Sequence, residues 1–182
     1  MNQVIDEKEM KQLEEWTELK CSDILFDSKI DNWFENPMSF NSLIVDKSRL
    51  LFLIEDEDGE KFGYYLQTKI KQQYQNGIST DNKTFHFNLE SNGRLPKPMK
   101  FEIKNLKRGG YCLYETIDMR NYLFTMGAIT LCLGNSINKS HCSQYDACFN
   151  YHGIKNALCG KQPNEYGYTY FTLKSLIIIQ MK

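Results

Sequence analysis

The feature that most constrains the fold is a pair of apolar segments separated by an acidic turn. Leu50–Ile54 is an unbroken run of five apolar residues, and Lys61–Leu66 is a second segment rich in aromatic side chains. The charged stretch between them contains the pair Asp58-Gly59. This arrangement predicts a β-hairpin, because glycine accepts the positive φ that tight hairpin turns require. The continuous apolar run indicates a strand covered on both faces, and Gly63 suggests close approach by a neighbouring segment.

The acidic turn does not have the spacing of a calcium-binding loop. If Gly59 were the sixth residue of such a loop, its first and twelfth positions would fall on Ile54 and Tyr65. Neither residue supplies the carboxylate that the site needs. We therefore expect Asp56 and Asp58 to be solvated turn residues, and we predict that the hairpin has a structural role and not a catalytic or metal-binding one.

Composition indicates one folded domain that is rich in sheet. The chain has 182 residues, of which 41% are hydrophobic and 25% charged, enough for a substantial core. Aromatic residues reach 13%, including eleven Tyr and eleven Phe, and aromatic side chains favour strands. The net charge of −1 argues against nucleic-acid binding, so no nucleic acid is expected as a partner.

The small net charge conceals two oppositely charged halves. Residues 1–60 hold 16 acidic and 6 basic side chains, whereas residues 61–182 hold 16 basic and 7 acidic ones. Such a separation would steer docking to a charged partner, with binding that weakens as salt rises. The alternative is that the two halves pair with each other across the fold.

The sequence predicts a cytoplasmic protein. No apolar run approaches the roughly 20 residues that span a bilayer, so no transmembrane segment is expected. The N-terminal stretch is acidic and polar, the reverse of a signal peptide. Because no secretion signal is found, we expect the six cysteines to be reduced thiols.

Periodicity and capping residues predict helices in the first half of the chain. Apolar residues recur at near-helical spacing over residues 5–19, with charged residues between them. Ser39–Ile44 is a second helix candidate, with Ser39 as its N-terminal cap. Ile70–Tyr74 is also predicted to be helical, and Gln75–Lys83 to be a polar loop that follows it.

Short strands separated by turns are predicted for much of the chain. Thr84–Leu89 alternates apolar and polar residues, the pattern of a half-buried strand. Phe101–Ile103 and Tyr111–Tyr114 flank Arg108-Gly109-Gly110 and are predicted to form a hairpin. Further strands are expected at Ile24–Phe26, Leu123–Met126, Ile129–Leu133, Phe149–Tyr151 and, as one or two strands, Tyr168–Met181. The pattern indicates an antiparallel sandwich or barrel with a few helices.

One segment concentrates side chains that bind metals or act as nucleophiles. It contains His141, Cys142, Cys148 and His152, with Cys132 before it and Cys159 after it. The spacings lack the close pairs by which zinc sites aim two ligands at one ion, so we predict buried thiols and no metal site. Adjacent residues of an extended chain point in opposite directions, so His141 and Cys142 are not expected to form a catalytic dyad. A redox-responsive Cys142 or Cys21 in an exposed loop remains an alternative.

A basic segment follows the predicted half-buried strand. It contains Arg94, Lys97, Lys100, Lys104, Lys107 and Arg108, with one acidic residue, Glu102. Such a stripe would suit phosphates or an acidic protein surface, but alternating lysines are more often the solvated face of an edge strand. The sequence has no phosphate-binding glycine loop, no serine–histidine–aspartate order and no carboxylate pair. We therefore predict neither a cofactor nor a catalytic residue.

The order of these segments resembles the TLDc domain family. Leu50–Ile54, the turn Asp58-Gly59 and Phe62–Leu66 resemble the family's central signature of a strand, an acidic-glycine turn and an aromatic-glycine pair. Further similar segments, in family order, are Ser39–Leu43, Thr84–Leu89, Leu123–Gly127 with Ile129–Leu133, Cys142–Gly160 and Phe171–Gln180. The sequence also resembles an expanded set of such domains in amoebic protists. The resemblance covers about residues 20–182, the expected TLDc-like domain, and leaves residues 1–19 as an N-terminal helical extension.

The resemblance implies an α+β, mainly β fold: a two-sheet antiparallel β-sandwich flanked by short helices. It further implies a non-enzymatic interaction module in oxidative-stress resistance or in regulation of the vacuolar proton-pumping ATPase, whose subunits would be its protein partners. The family has no agreed catalytic residues, and Gly59, Phe62, Gly63 and Phe87 match its signature in structural roles. Two alternatives stay open. One is a thiol-based redox sensor or peroxide-protective enzyme, and the other is a lineage-specific protein–protein adaptor that self-associates through residues 5–19.

Overall fold

The strands form two antiparallel six-stranded sheets that pack face to face in the computed structural model of the protein. The structure describes residues 5–31, 37–71, 75–78, 80–107, 109–114, 121–143 and 148–182. The predicted fold class, a mainly β α+β sandwich with short helices, is confirmed. None of the helices among these residues is long and apolar enough to cross a membrane.

The elements follow one another along the chain, and the longest connection, residues 144–167, separates β10 from β11. They are α1 (Glu7–Thr17), β1 (Cys21–Asp27), α2 (Pro37–Ile44), β2 (Leu50–Asp56), β3 (Lys61–Leu66), β4 (Gln75–Ile78), β5 (Phe85–Glu90), β6 (Met99–Glu102), β7 (Tyr111–Leu113), β8 (Tyr122–Met126), β9 (Ile129–Cys132), a 3-10 helix (Gly134–Lys139), β10 (Ser140–Ser143), β11 (Tyr168–Phe171) and β12 (Leu173–Met181). Sheet A has the order β1-β12-β2-β3-β5-β6, and sheet B has the order β11-β10-β9-β8-β7-β4.

The predicted hairpin is confirmed as β2 and β3, in the middle of sheet A. Gly59 has φ +85° and its N–H donates to the Asp56 carbonyl, which closes the turn. Gly63 is packed so closely that a Cβ there would lie 1.9 Å from the Phe52 carbonyl oxygen, as its position in the strand predicted. The prediction of a solvated Asp56 is wrong: it is 1% exposed, and its Oδ1 accepts a hydrogen bond from the Glu60 N–H at 3.0 Å, which gives the buried carboxylate a partner.

Helix α1 covers the outer face of sheet A. Asp6 caps it by accepting from the Glu9 N–H, while the Glu9 side chain accepts from the Asp6 N–H, a reciprocal capping box. Its apolar side buries Leu13 completely and places Trp16 against the rings of Phe85 and Phe87. The helix predicted over residues 5–19 is therefore confirmed in position. Its burial gives sheet A a second apolar layer in addition to the core between the sheets.

Three predictions about short segments in the first half are corrected. Helix α2 begins at Pro37, so Ser39 lies inside the helix and does not cap it; proline suits the first turn because its missing N–H has no partner there in any case. Ile70 is not helical, because its backbone pairs with Asp46 and Lys47, and residues 72–74 lie outside the described part. Gln75–Ile78, part of the predicted loop, forms β4. Its strand conformation comes from backbone pairing with β7, which the local composition does not predict.

Strand β5 is buried on both faces, so the prediction of a half-buried strand is wrong. Phe85 and Phe87 face α1, but His86 and Asn88 face the other sheet and are 0% and 1% exposed. Both polar side chains are satisfied there. Asn88 Nδ2 donates to the Leu158 carbonyl at 2.7 Å, for example. The alternating pattern correctly assigns these residues to two faces of the strand. The polar face can be buried because segments distant in sequence supply hydrogen-bond partners, which a local pattern does not show.

The hairpin predicted around Arg108-Gly109-Gly110 is also wrong. β6 pairs with β5 at the edge of sheet A, whereas β7 pairs with β8 and β4 in sheet B. The connection therefore crosses from one sheet to the other, and a Cβ at Gly109 would lie 2.4 Å from Ile103 Cδ1, so the glycine permits the crossing. Arg108 itself lies outside the described residues. The β8–β9 hairpin is confirmed, and the last predicted segment divides into β11 in sheet B and β12 in sheet A.

The two oppositely charged halves of the chain pair with each other. Of the seven ion pairs among the described residues, six join an acidic residue from positions 1–60 to a lysine or arginine from positions 61–182. They are Glu9–Lys61, Asp23–Lys182, Asp46–Lys69, Glu55–Lys174, Asp58–Lys161 and Glu60–Arg94. The charge asymmetry thus contributes to contacts within the fold, which favours internal pairing over a charged docking surface.

Candidate functional site

The histidines and cysteines that cluster in sequence are separated in space. His141 and Cys142 are neighbours in β10 and face opposite sides, His141 toward Tyr168 on the outer face of sheet B and Cys142 toward the core. His152 lies in a separate turn, 6.4 Å from the Phe101 ring. Among the described residues, no group of three or more His, Cys, Asp or Glu side chains is arranged to hold a metal ion.

The thiols that the sequence singled out are kept protonated by burial. Burial raises the pKa of Cys21 to about 11. Burial first, and then contact with the Cys159 thiol, raises the pKa of Cys142 well above its usual range. Cys132, Cys142 and Cys159 are fully buried, whereas Cys112 and Cys148 are partly exposed. Because the thiolate is the reactive form, Cys21 and Cys142 are poor candidates for a redox sensor.

The predicted basic stripe is not one continuous surface. Arg94 is held by Glu60 at 2.9 Å and is mostly buried. Lys100 lies 4.6 Å from the centre of the Phe85 ring, and its Nζ is 3.4 Å from the Trp16 carbonyl, so it packs against α1. Lys97, Lys104 and Lys107 are exposed. The expectation of an edge strand is confirmed, because β6 ends sheet A.

His86 links the two sheets from inside the core. Its Nε2–H donates to the Met126 carbonyl at 3.1 Å, and its Nδ1 accepts from the Tyr151 hydroxyl at 2.8 Å, as a neutral imidazole does. The ring packs 3.8 Å from that of Phe149. Burial lowers the pKa of His86 to about 3. A fully buried ring with both nitrogens occupied has a structural role, because no substrate reaches it.

Five rings form a continuous row on the outer face of sheet B. We call this set the aromatic row, and it comprises Tyr114, Tyr122, His141, Tyr168 and Tyr170. Ring centroids lie 5.5 Å apart for Tyr114–Tyr122, 6.2 Å for Tyr122–His141, 4.8 Å for His141–Tyr168 and 5.6 Å for His141–Tyr170. The strand register produces this order, since His141 pairs with Tyr170 across β10 and β11. The row crosses the sheet from the end of β7 to β11.

None of the described strand residues on the face of the aromatic row is charged. Alternation sends one side of each strand into the core, such as Phe124, Ile129 and Phe171, and the other side outward. The outward set, as far as the structure describes it, is Cys112, Tyr114, Tyr122, Thr125, Thr130, Cys132, His141, Ser143, Tyr168 and Tyr170. Tyr170 is 44% exposed. Exposure across this face is uneven, because Thr130, Cys132 and His141 are only 6%, 0% and 9% exposed.

Sequence reasoning did not find the aromatic row. Its members come from β7, β8, β10 and β11, and only the strand register brings them together. One local signal existed: Tyr168-Thr169-Tyr170-Phe171 places two tyrosines on one side of a strand. His141 was considered only as a metal ligand or base, although its ring is the centre of the row.

The fold is a two-sheet β-sandwich domain in which α1 covers the outer face of sheet A. A sequence model of the TLDc domain matches residues 2–173, nearly the whole chain and including α1. The protein therefore belongs to the TLDc domain family, which is often linked to resistance to oxidative stress and whose domain suggests a protein-interaction module. A comparison with curated proteins gave no match. Of the signature residues, Phe62 and Phe87 are completely buried.

Proposed function

We propose that this protein is a non-enzymatic interaction module that acts in oxidative-stress resistance or in regulation of the vacuolar proton-pumping ATPase, and that it binds its protein partner through the aromatic row. The observation that carries this proposal is the exposed end of the aromatic row. Tyr170 is 44% exposed and its ring packs beside those of Tyr168 and the buried His141.

The composition of the face supports binding of a protein. Tyrosine is enriched at the residues that dominate binding energy in interfaces, because it offers a large apolar ring together with a hydroxyl. Neighbouring rings such as Tyr168 and His141 support one another at 4.8 Å, so little side-chain freedom is left to lose on binding. These are the properties of a preorganised contact surface.

The charge of the face determines how binding responds to salt. The described residues on the outer face of sheet B include no carboxylate, ammonium or guanidinium group. Charge asymmetry in the sequence left salt-sensitive docking open, but six of the seven ion pairs among the described residues join those charges to each other. We therefore expect binding through the aromatic row to change little between low and high salt.

The proposal is tested by affinity purification from native cell lysate, followed by quantitative mass spectrometry at low and at high salt. The baits are the wild-type protein, Tyr170→Ala and a matched control, Tyr166→Ala. Tyr166 is 69% exposed and lies outside the aromatic row, so it controls for the loss of a surface tyrosine. Thermal unfolding of each bait confirms that the variants are folded.

Recovery of vacuolar ATPase subunits by the wild type and the control, at both salt concentrations, together with their loss in Tyr170→Ala, supports the proposal. Equal recovery by all three baits would show that another surface makes the contact. Absence of every ATPase subunit from the wild-type sample would contradict the proposal that the vacuolar ATPase is the partner.

A further inference from the structure

Two cysteines from different segments of the chain meet inside the core. Cys142 lies in β10 and faces the space between the sheets, and Cys159 lies in the connection between β10 and β11. Cys142 Sγ accepts a hydrogen bond from the Cys159 N–H and also contacts the Cys159 thiol. Both residues are free thiols and 0% exposed.

A second contact fixes the position of the Cys159 sulfur. Thr169 of β11 lies directly opposite Cys142 in the β10–β11 pair. Cys159 Sγ donates to the Thr169 carbonyl at 3.7 Å. Directly opposed residues of an antiparallel pair have Cα atoms about 4.5 to 5.5 Å apart, so this contact also places the Cys159 thiol beside Cys142. A disulfide requires such proximity, because its bond joins sulfur atoms only about 2 Å apart.

We propose that Cys142 and Cys159 form an intramolecular disulfide when the surrounding thiol pool becomes oxidised. The oxidant belongs to the class of small soluble disulfides, of which oxidised glutathione is the example used below. This inference depends neither on the aromatic row nor on the partner proposed for it, because it concerns thiols of the core.

The reaction follows local opening of the connection, because both sulfur atoms are out of reach in the closed fold. Once exposed, the Cys159 thiolate attacks one sulfur of the small disulfide and releases the first small thiol. Cys142 then loses its proton and attacks the Cys159 sulfur, which releases the second small thiol. Two cysteine thiols are oxidised to one disulfide, while one small disulfide is reduced to two thiols. Because opening comes first, the reaction is slower than that of the partly exposed Cys148.

The disulfide fastens the connection to β10. It closes a loop of 18 residues, from 142 to 159, and so removes conformational freedom from the unfolded chain. The same connection contributes Phe149, Tyr151 and Leu158 to the core, and the Tyr151 hydroxyl donates to His86. Oxidation therefore secures a segment on which the packing between the sheets depends.

The test is oxidation of the full-length protein below its unfolding temperature, in buffers with a series of ratios of oxidised to reduced glutathione. Remaining thiols are blocked, and peptide mass spectrometry identifies the cysteines that are joined. We expect a peptide pair linked through Cys142 and Cys159 and an unfolding temperature about 5 to 10 °C higher than that of the reduced protein. A reducing phosphine should restore the original temperature.

Two variants determine whether this pair causes the shift. Cys159→Ala should show neither the linked peptides nor the increase in unfolding temperature. Cys132→Ala is the matched control, because it removes another fully buried thiol and should retain both. If Cys159→Ala does not fold, the linked peptides and the reversal of the temperature shift in the wild type carry the test.

Three results would overturn the inference. The first is that Cys142 and Cys159 stay reduced at the most oxidising ratio while Cys148 carries glutathione. The second is linkage of these two cysteines in urea-unfolded chains but not in the folded protein, since the folded geometry would then not bring them together. The third is a linked protein whose unfolding temperature is unchanged or lower, which would show that the disulfide does not fasten the connection.

Discussion

Gly63 and His86 show how single residues determine whether the core of this domain can pack. Gly63 lies in the middle of sheet A, where the Phe52 backbone and the Phe87 ring occupy the space of a side chain. His86 fills the space between the sheets as a neutral ring whose nitrogens bond to Met126 in sheet B and to Tyr151 in the connection between β10 and β11. The packing at residue 63 leaves no room for a Cβ, and the packing at His86 requires the neutral form of the imidazole.

We expect Gly63→Ala to destabilise the protein by about 3 kcal/mol or more, because the added Cβ would meet a backbone oxygen at 1.9 Å. Gly93→Ala is the control. Its Cβ would meet nothing within 4 Å, so its positive φ of +79° alone should cost about 1 kcal/mol. Urea unfolding at neutral pH measures both, and an equal loss in the two variants would contradict the packing argument.

His86 should make the protein less stable as pH falls. Its pKa is about 3 in the folded protein, below the value of 6.5 for a free histidine. The unfolded chain therefore binds the additional proton between these values, and stability decreases as pH falls below about 6.5. Between pH 7 and pH 5 the loss from this residue is about 2 kcal/mol.

His86→Gln provides the comparison for that pH dependence. The variant is less stable at pH 7, but its urea midpoint should fall by less between pH 7 and pH 5, because glutamine does not titrate. His141 and His152 are present in both proteins, so the difference between the two pH profiles reports His86 alone. Parallel profiles would show that His86 is not the titrating group.

At the scale of elements, local signals predicted the hairpins and failed at the connections between sheets. Asp58-Gly59 predicted the β2–β3 turn, and the glycine there has the expected positive φ. Arg108-Gly109-Gly110 gave a similar signal, but its two glycines lie where the chain crosses from sheet A to sheet B. Glycine indicates tight backbone in both cases, and sequence alone does not distinguish a turn within a sheet from a crossing between sheets.

Arg94 fixes the connection between β5 and β6 to the rest of the domain. Its guanidinium binds Glu60 at 2.9 Å and donates to the carbonyls of Asn156 and Leu158. Arg94→Met should destabilise the protein by about 3 kcal/mol, because Glu60 is then a buried carboxylate without a partner. Thermal unfolding checks this expectation.

Two further variants test the cause of that loss. Lys161→Met breaks the pair with Asp58, in which both side chains are about half exposed, and should cost less than about 1 kcal/mol. Arg94→Met combined with Glu60→Met should recover part of the stability, since it removes the unpaired charge as well. If the Arg94→Met protein is no less stable than the Lys161→Met protein, the buried ion pair contributes no more to stability than the exposed one.

At the scale of the whole molecule, the sequence predicted the class of fold but not the face that we propose for binding. The apolar runs and turn glycines predict strands, and the order of motifs predicts the sandwich. The aromatic row depends on register between strands that are far apart in the chain, and no local pattern encodes it. The basic stripe was conspicuous in sequence, yet Arg94 and Lys100 are used inside the fold.

Removal of residues 1–19 tests whether α1 is an extension or part of the domain. α1 buries Leu13 against sheet A, so we expect the shortened protein to have a lower unfolding temperature, to bind a hydrophobic dye and to aggregate. Leu13→Ala in the full chain should cost about 2 to 5 kcal/mol and cause no aggregation at room temperature. An unchanged unfolding temperature after the removal would identify residues 1–19 as a separable extension.

The place of β12 between β1 and β2 has a consequence for protein synthesis. The ribosome makes β2 early and β12 last of the described strands, so one edge of the apolar run Leu50–Ile54 stays unpaired until residues 173–181 have emerged. A nascent chain with an unpaired apolar edge is prone to aggregation. The yield of folded protein in a cell should therefore depend on how long chaperones protect that edge, and on how quickly the last strand is translated.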